Sequence, residues 1–228
     1  MREAKTNDFK AVLFDKDGVL IDSIDSCYNA INSTLRHYKI PEITREYYTR
    51  NLWGKKSWTI FEDSASLTTA EIRERAEYYN KMRDEGDDKT KAFPYAIEVL
   101  RSLKKSGKIK IGLVTNTKRS TAIKILECYS LALFFDEVVG GDDTEPKPSP
   151  KPILLACEKL GILPEETLFV GDTTTDIYAG KSAGCLTAIV ATSMSFEEVS
   201  GIEGIIPIRD LRDVLGLVRC GHHATCEN

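Results

Sequence analysis

The stretch Phe9-Lys-Ala-Val-Leu-Phe-Asp-Lys-Asp-Gly18 decides the architecture. A short apolar run ends abruptly in charged residues and a glycine, which reads as a strand buried on both faces followed by a loop. The signature returns downstream. Ile109 to Val114, Thr167 to Val170 and Leu186 to Val190 read as strands, and Glu137 to Val139 as a shorter one. Helical patterns lie between them. Ala96, Val99, Leu100 and Leu103 mark one helix face, with Gly107 placed to end it. Thr121 to Tyr129 and Asp176 to Ala183 are helical. Ser149 is placed to cap a helix that Pro150 and Pro152 start and Gly161 ends. Ser195 and Glu198 have capping-box spacing. Strands alternating with helices predict an α/β chain whose doubly wound parallel sheet is covered on both faces.

Ser23 to Tyr38 and Thr69 to Glu85 read as helices, and Asn51 to Trp58 as a loop between helices. The region 23–92 holds both tryptophans and six of the nine tyrosines, with no convincing strand. It reads as a small α-helical cap, inserted after the first strand and carrying its own core. The predicted division is a core over 1–22 and 93–220, a cap over 23–92 and a tail over 221–228. The 228 residues are 42% hydrophobic and 29% charged, as in an ordinary globular protein. Lys plus Arg is 31 and Asp plus Glu 35, so the net charge is 31 − 35 = −4, which gives no broad attraction for nucleic acid. No run of about 18 apolar residues exists, so no membrane span is predicted. Met1 to Lys10 lacks the apolar centre of a secretory signal. The six scattered cysteines predict a reducing cytoplasm and no disulfide framework.

Ligands of parallel sheets bind beyond the carboxyl ends of the strands. There the sequence places Asp15, Lys16, Asp17 and Gly18, then Thr115 and Asn116, then Asp172 and Asp176, with Lys147 on the loop Glu145-Pro-Lys-Pro-Ser-Pro150. Any of these alone reads as a turn, a cap or a solvated loop residue; their coincidence at one sheet edge predicts one site. Asp15 and Asp17, two apart in extended chain, leave it on the same side. Carboxylates that close repel unless a cation is present. A hard divalent cation suits them, and Mg²⁺ takes one or two carboxylates, waters and a phosphate oxygen. One carboxylate could then attack phosphorus while its neighbour protonates the leaving oxygen. A hydroxyl and an ammonium are what a transferring phosphoryl group needs around it.

Asp15-Lys-Asp-Gly-Val-Leu-Ile-Asp-Ser23 resembles the first motif of the haloacid dehalogenase superfamily of phosphohydrolases. Leu113-Val-Thr-Asn116 resembles the second, Lys147 in Lys-Pro-Ser-Pro the third, and Gly171-Asp-Thr-Thr-Thr-Asp176 the fourth. The resemblance runs from about Phe9 to Val190 in family order. It implies a Rossmann-like core, and the helical insertion is similar to the cap of the subfamily containing phosphoglycolate phosphatases. It also implies roles. Asp15 would be the nucleophile and Asp17 the general acid, then base. Thr115 and Asn116 would hold phosphoryl oxygens, beside Gly18, and Lys147 would offset charge. Asp172, Asp15 and the backbone carbonyl of Asp17 would bind Mg²⁺, with Asp176 assisting. Asp17 argues for phosphate chemistry, because the superfamily's dehalogenases lack that aspartate.

Gly54-Lys-Lys-Ser57 sits where this subfamily places a substrate loop. Lys55 and Lys56 could meet a second anionic group or form a solvated turn. The β-phosphoglucomutases resemble the core motifs but usually carry Lys before and Arg after that glycine, whereas Trp53 and lysines flank it here. The expected enzyme is a phosphatase of a small phosphorylated metabolite, with phosphoglycolate leading and a phosphomutase or an inorganic pyrophosphatase as alternatives. It is expected as a monomer or homodimer without nucleic-acid or membrane partners. His37 reads as an ordinary histidine. Cys220, His222, His223 and Cys226 do not match common zinc spacing, and the tail reads as a mobile end.

Overall fold

The computed structural model describes residues 9–62, 67–86 and 90–220. Strand β1 (Ala11–Phe14) leads through a tight loop into the two-residue strand β2 (Ile21–Asp22). Four helices follow: α1 (Ile24–His37), α2 (Arg45–Asn51), α3 (Ser57–Glu62) and α4 (Thr69–Glu85). The chain returns through β3 (Lys91–Ala92), which pairs antiparallel with β2. Next come α5 (Ala96–Ser106), β4 (Lys110–Val114), α6 (Arg119–Cys128), β5 (Glu137–Val139) and α7 (Lys151–Leu160). The chain closes with β6 (Thr167–Gly171), α8 (Thr174–Ala183), β7 (Leu186–Val190), α9 (Phe196–Ser200), β8 (Ile205–Ile208) and α10 (Asp213–Cys220). The main sheet runs β5-β4-β1-β6-β7-β8, with every neighbouring pair parallel.

Period-two alternation sends successive side chains to opposite faces of the sheet. Val12, Phe14, Leu168 and Val170 pack with Val99, Leu100 and Leu103 of α5 and Val214 of α10. Leu13 and Phe169 face the other way, onto Ile153 and Ala156 of α7 and Ala179 of α8. Both faces are therefore dry, which is why the strands read as continuous apolar runs. Removing a fully buried ring such as Phe169 would cost about 3–5 kcal/mol. The helices between β2 and β3 enclose a separate cluster around Ile31, Tyr48, Trp53, Phe61 and Tyr79.

Some elements differ from expectation. Strand β3 lies inside the region read as strand-free, being only two residues long. Strand β8 escaped prediction because it is short and carries Pro207, which an edge strand tolerates. Helix α7 begins at Lys151 with Pro150 at its N-cap and no side-chain cap; Ser149 accepts only a long bond, 3.4 Å, from the Lys151 N–H. No described helix is long and apolar enough to cross a membrane. Met1 to Asp8, and the tail beyond Cys220 with His222, His223 and Cys226, lie outside the described residues.

Candidate active site

Register brings the strand ends together. Phe14 of β1 stands beside Leu113 of β4 and Val170 of β6, so Asp15, Thr115 and Asp172 leave the sheet at one edge. The loop after β1 is closed by bonds from Gly18 N–H to the Ile21 carbonyl and from Ile21 N–H to the Lys16 carbonyl, both 2.9 Å. Gly18 has φ +78°, and a Cβ there would overlap the Asp172 carboxylate, so only glycine fits. On the fourth segment Thr173 caps α8 and Asp176 completes a capping box, accepting from the Thr173 N–H at 3.0 Å.

Lys147 ties these parts together. Its ammonium donates to Asp176 Oδ1 at 2.7 Å and to the Val114 carbonyl at 3.1 Å, and lies 2.9 Å from Asp15 Oδ1. Burial disfavours its charge, but the Asp15 and Asp176 carboxylates outweigh that and raise its proton affinity. Asp15, Asp172 and Asp176 are all buried, with ligand-type oxygens within 4.8 Å of one another. Burial, opposed by Lys147 and helped by the Asp176 and Asp17 charges, lifts the Asp15 carboxyl to about 7. Asp172 is pushed well above the usual carboxylate range by burial and by Asp176 and Asp15. Its Oδ1 is buried without a hydrogen-bond partner among the described residues.

Asp17 is held quite differently, and its carboxylate is not part of that trio. Its Oδ1 accepts from Lys16 Nζ at 2.5 Å and from the Ser23 hydroxyl at 2.6 Å; its Oδ2 accepts from the Thr117 hydroxyl at 3.1 Å. Burial would raise its proton affinity, but Lys16, Arg83 and these bonds hold it at about 2. Thr115 is buried, and its hydroxyl oxygen accepts from the Thr117 N–H at 3.2 Å, which leaves its proton to donate. The Asn116 side chain is engaged within the protein. Its amide donates to the Gly54 and Lys147 carbonyls at 3.0 and 3.1 Å and accepts from the Lys147 N–H at 2.9 Å. That side chain fixes two loops.

Over these groups lies a cleft of about 80 Å³, lined on the cap side by Trp53, Lys55, Lys56 and Arg83, with Lys118 at its rim. Lys55 and Lys118 are exposed; Lys56 is half-buried and donates to the Gly141 carbonyl at 2.6 Å. Sequence alone assigns no role to Lys16, Ser23, Thr117, Lys118 or Arg83. Lys16 and Ser23 lie within the first motif and Thr117 and Lys118 on the loop after β4, so strand-end position could have flagged them. Arg83 is one charge among many on α4, and nothing in the sequence singles it out.

A haloacid dehalogenase-like hydrolase family model matches residues 12–190. The chain belongs to that family. Among its curated relatives, the phosphoglycolate phosphatase of Escherichia coli O157:H7 is 30% identical, with 94% of this chain and 95% of the relative covered. A haloacid dehalogenase-like hydrolase structure from Bacteroides fragilis superposes with TM-score 0.83 at 28% identity, covering 90% of this chain and 99% of that one. A β-phosphoglucomutase from Clostridium difficile shares the fold, with TM-score 0.79 at 21% identity over 92% of this chain and 97% of that one. The chain is thus an enzyme of a hydrolase family, with the six-stranded core and strand-end site described above.

Proposed function

We propose that this hydrolase is a Mg²⁺-dependent phosphomonoesterase acting on a small phosphorylated metabolite, with phosphoglycolate as the substrate. The observation that carries the reading is the buried Asp15, bridged to Lys147, with the differently tuned Asp17 two residues away at the floor of one cleft. Asp15 attacks phosphorus, and the bond from phosphorus to the leaving oxygen breaks. Asp17 is ionised in the free enzyme. The phosphate's negative charge raises its proton affinity, so it carries a proton to the leaving oxygen. Asp17, ionised again, takes a proton from the water that attacks the aspartyl-phosphate, releasing phosphate and Asp15. Thr115 donates its hydroxyl proton to a phosphoryl oxygen, and Lys147 orients Asp15 and offsets charge. Asn116 positions the Lys147 loop.

Three buried carboxylates and the unpartnered Asp172 Oδ1 fit a small hard cation with oxygen ligands. Asp15 and Asp172 would hold Mg²⁺, while Asp176, engaged by Lys147 and by its own helix start, keeps the cluster in place. The bound ion supplies positive charge against the carboxylates and the phosphoryl oxygens. Lys55, Lys56, Lys118 and Arg83 around the cleft suit a leaving group with a second anionic group, as a carboxylate would be. The similarity to phosphoglycolate phosphatases supports the same substrate. Among the described residues Cys27, Cys128, Cys157 and Cys185 are free thiols, which suits a reducing compartment.

The test is phosphate release from a panel containing phosphoglycolate, pyrophosphate, sugar phosphates and nucleoside monophosphates, with Asp15→Asn as the control. Release from phosphoglycolate above the other members supports the proposal. Interconversion of sugar phosphates without free phosphate would replace it with a phosphomutase, and preference for pyrophosphate with a pyrophosphatase.

A further inference from the structure

Trp53 reaches from the cap into the carboxylate cluster. Its side chain is buried, 7% exposed, and stands edge-on to Tyr48 with ring centroids 6.1 Å apart, so packing inside the cap sets where the indole points. The indole N–H donates to Asp172 Oδ2 at 2.8 Å. The Thr192 hydroxyl lies farther from that oxygen, at 3.5 Å, and donates to the Gly18 carbonyl at 2.7 Å, so the indole is the stronger donor to Asp172. The other oxygen of Asp172 is the one buried without a partner among the described residues. The residues after Trp53 hold the same loop on the core. The Gly54 carbonyl accepts from Asn116 at 3.0 Å, and Lys56 donates to the Gly141 carbonyl at 2.6 Å. At Gly54 a Cβ would come within 2.9 Å of the Thr173 methyl, so the two segments touch there.

We infer that Trp53 is a positioning residue of the metal site, holding one oxygen of Asp172 so that the other is presented to the cation while the cap loop rests on the core. A carboxylate already held through one oxygen is oriented before the metal arrives. The donor belongs to the cap and the acceptor to the core, so Mg²⁺ binding and docking of the cap loop favour each other by the same factor. The inference rests on the metal reading above but not on the substrate.

Trp53→Phe keeps an aromatic ring in place and removes the N–H. Its Mg²⁺ affinity, measured by calorimetric titration without substrate, should fall about 10–100-fold. Equal affinity in a folded Trp53→Phe variant overturns the inference and leaves the metal reading intact. A wild-type protein that binds no Mg²⁺ overturns the metal reading, and the inference with it. A second measurement needs no change at Trp53. The chain has two tryptophans, so its indole N–H signals in a nitrogen-15 spectrum are assigned by Trp58→Phe. The Trp53 signal should exchange slowly with solvent and shift on Mg²⁺ addition. A Trp53 signal that exchanges as fast as that of the exposed Trp58 and ignores Mg²⁺ overturns the inference even where Trp53→Phe fails to fold.

Discussion

The floor and the upper wall of the cleft differ in how their charges are held. At and beneath the floor, Asp15, Lys147 and Asp176 are buried at strand ends and locked at 2.7 to 3.1 Å around one ammonium, with the buried Asp172 beside them held by Trp53. On the wall, Lys55 is exposed, Lys56 is half-buried and Arg83 keeps 17% of its side-chain surface in solvent. Charges on the floor act in a low dielectric, where losing one partner strands the others. The exposed Lys55 is screened by water and contributes by degrees, whereas Arg83, mostly buried, helps hold Asp17 ionised. On the proposed reading, the floor carries the chemistry and the wall selects the substrate.

The largest effect should come from the floor. Asp15→Asn should drop phosphate release to background, because an amide does not attack phosphorus; turnover near wild type in a contamination-free preparation would break the comparison at its base. Asp17→Asn should lower kcat by about 10²–10⁴-fold while Mg²⁺ still binds, since the Asp17 carboxylate lies outside the trio of metal-type oxygens. Steady-state kinetics paired with a Mg²⁺ titration checks both halves.

On the wall, Lys55→Ala and Lys118→Ala should each reduce kcat/KM for phosphoglycolate by about 10–10²-fold and leave an uncharged aryl phosphate almost unaffected. The ratio of the two substrates carries the information. Equal losses on both would assign these lysines to folding or cap docking rather than to selection.

The smallest effect is a pH dependence confined to the floor. Asp15, raised to about 7, binds a proton below that value, and Mg²⁺ has to displace it. Mg²⁺ affinity should therefore rise with pH through about 7, by up to about tenfold per pH unit for each proton displaced, with Asp172, also pushed up by burial, adding to the rise. Asp17, held at about 2, is ionised throughout and adds nothing to this profile. Calorimetric titration at several pH values measures it; an affinity flat from pH about 5.5 to 8.5 would mean that Asp15 stays ionised without the metal.

Much of this molecule was legible in one dimension. Strands β4, β6 and β7 appear where the apolar runs place them, because burial on both faces leaves an unmistakable mark on short segments, and helix α4 appears where its charged helical pattern places it. Thr115, Lys147 and Asp172 stood out for a related reason: each lies at or just beyond a strand end or on the loop between, and parallel register carries neighbouring strand ends to one edge. Legibility stopped where contact is made between segments far apart in the chain. No motif announces that the Asn116 amide joins Gly54, 62 residues away, to the Lys147 loop.

Sequence by itself determined the fold class, the strand-end edge and the residue types gathered there, since these follow from periodicity and from short motifs read in order. Tertiary structure alone decided how two aspartates two residues apart come to differ, Asp15 lifted to about 7 and Asp17 held at about 2. Asp17 owes its state to Lys16 and Ser23 nearby, but also to Arg83 at the far end of the cap. Tertiary structure also decided that Trp53 meets Asp172 across 119 residues of chain. A carboxylate's proton affinity and orientation depend on desolvation and on charges within a few ångströms, and only the folded chain sets those distances.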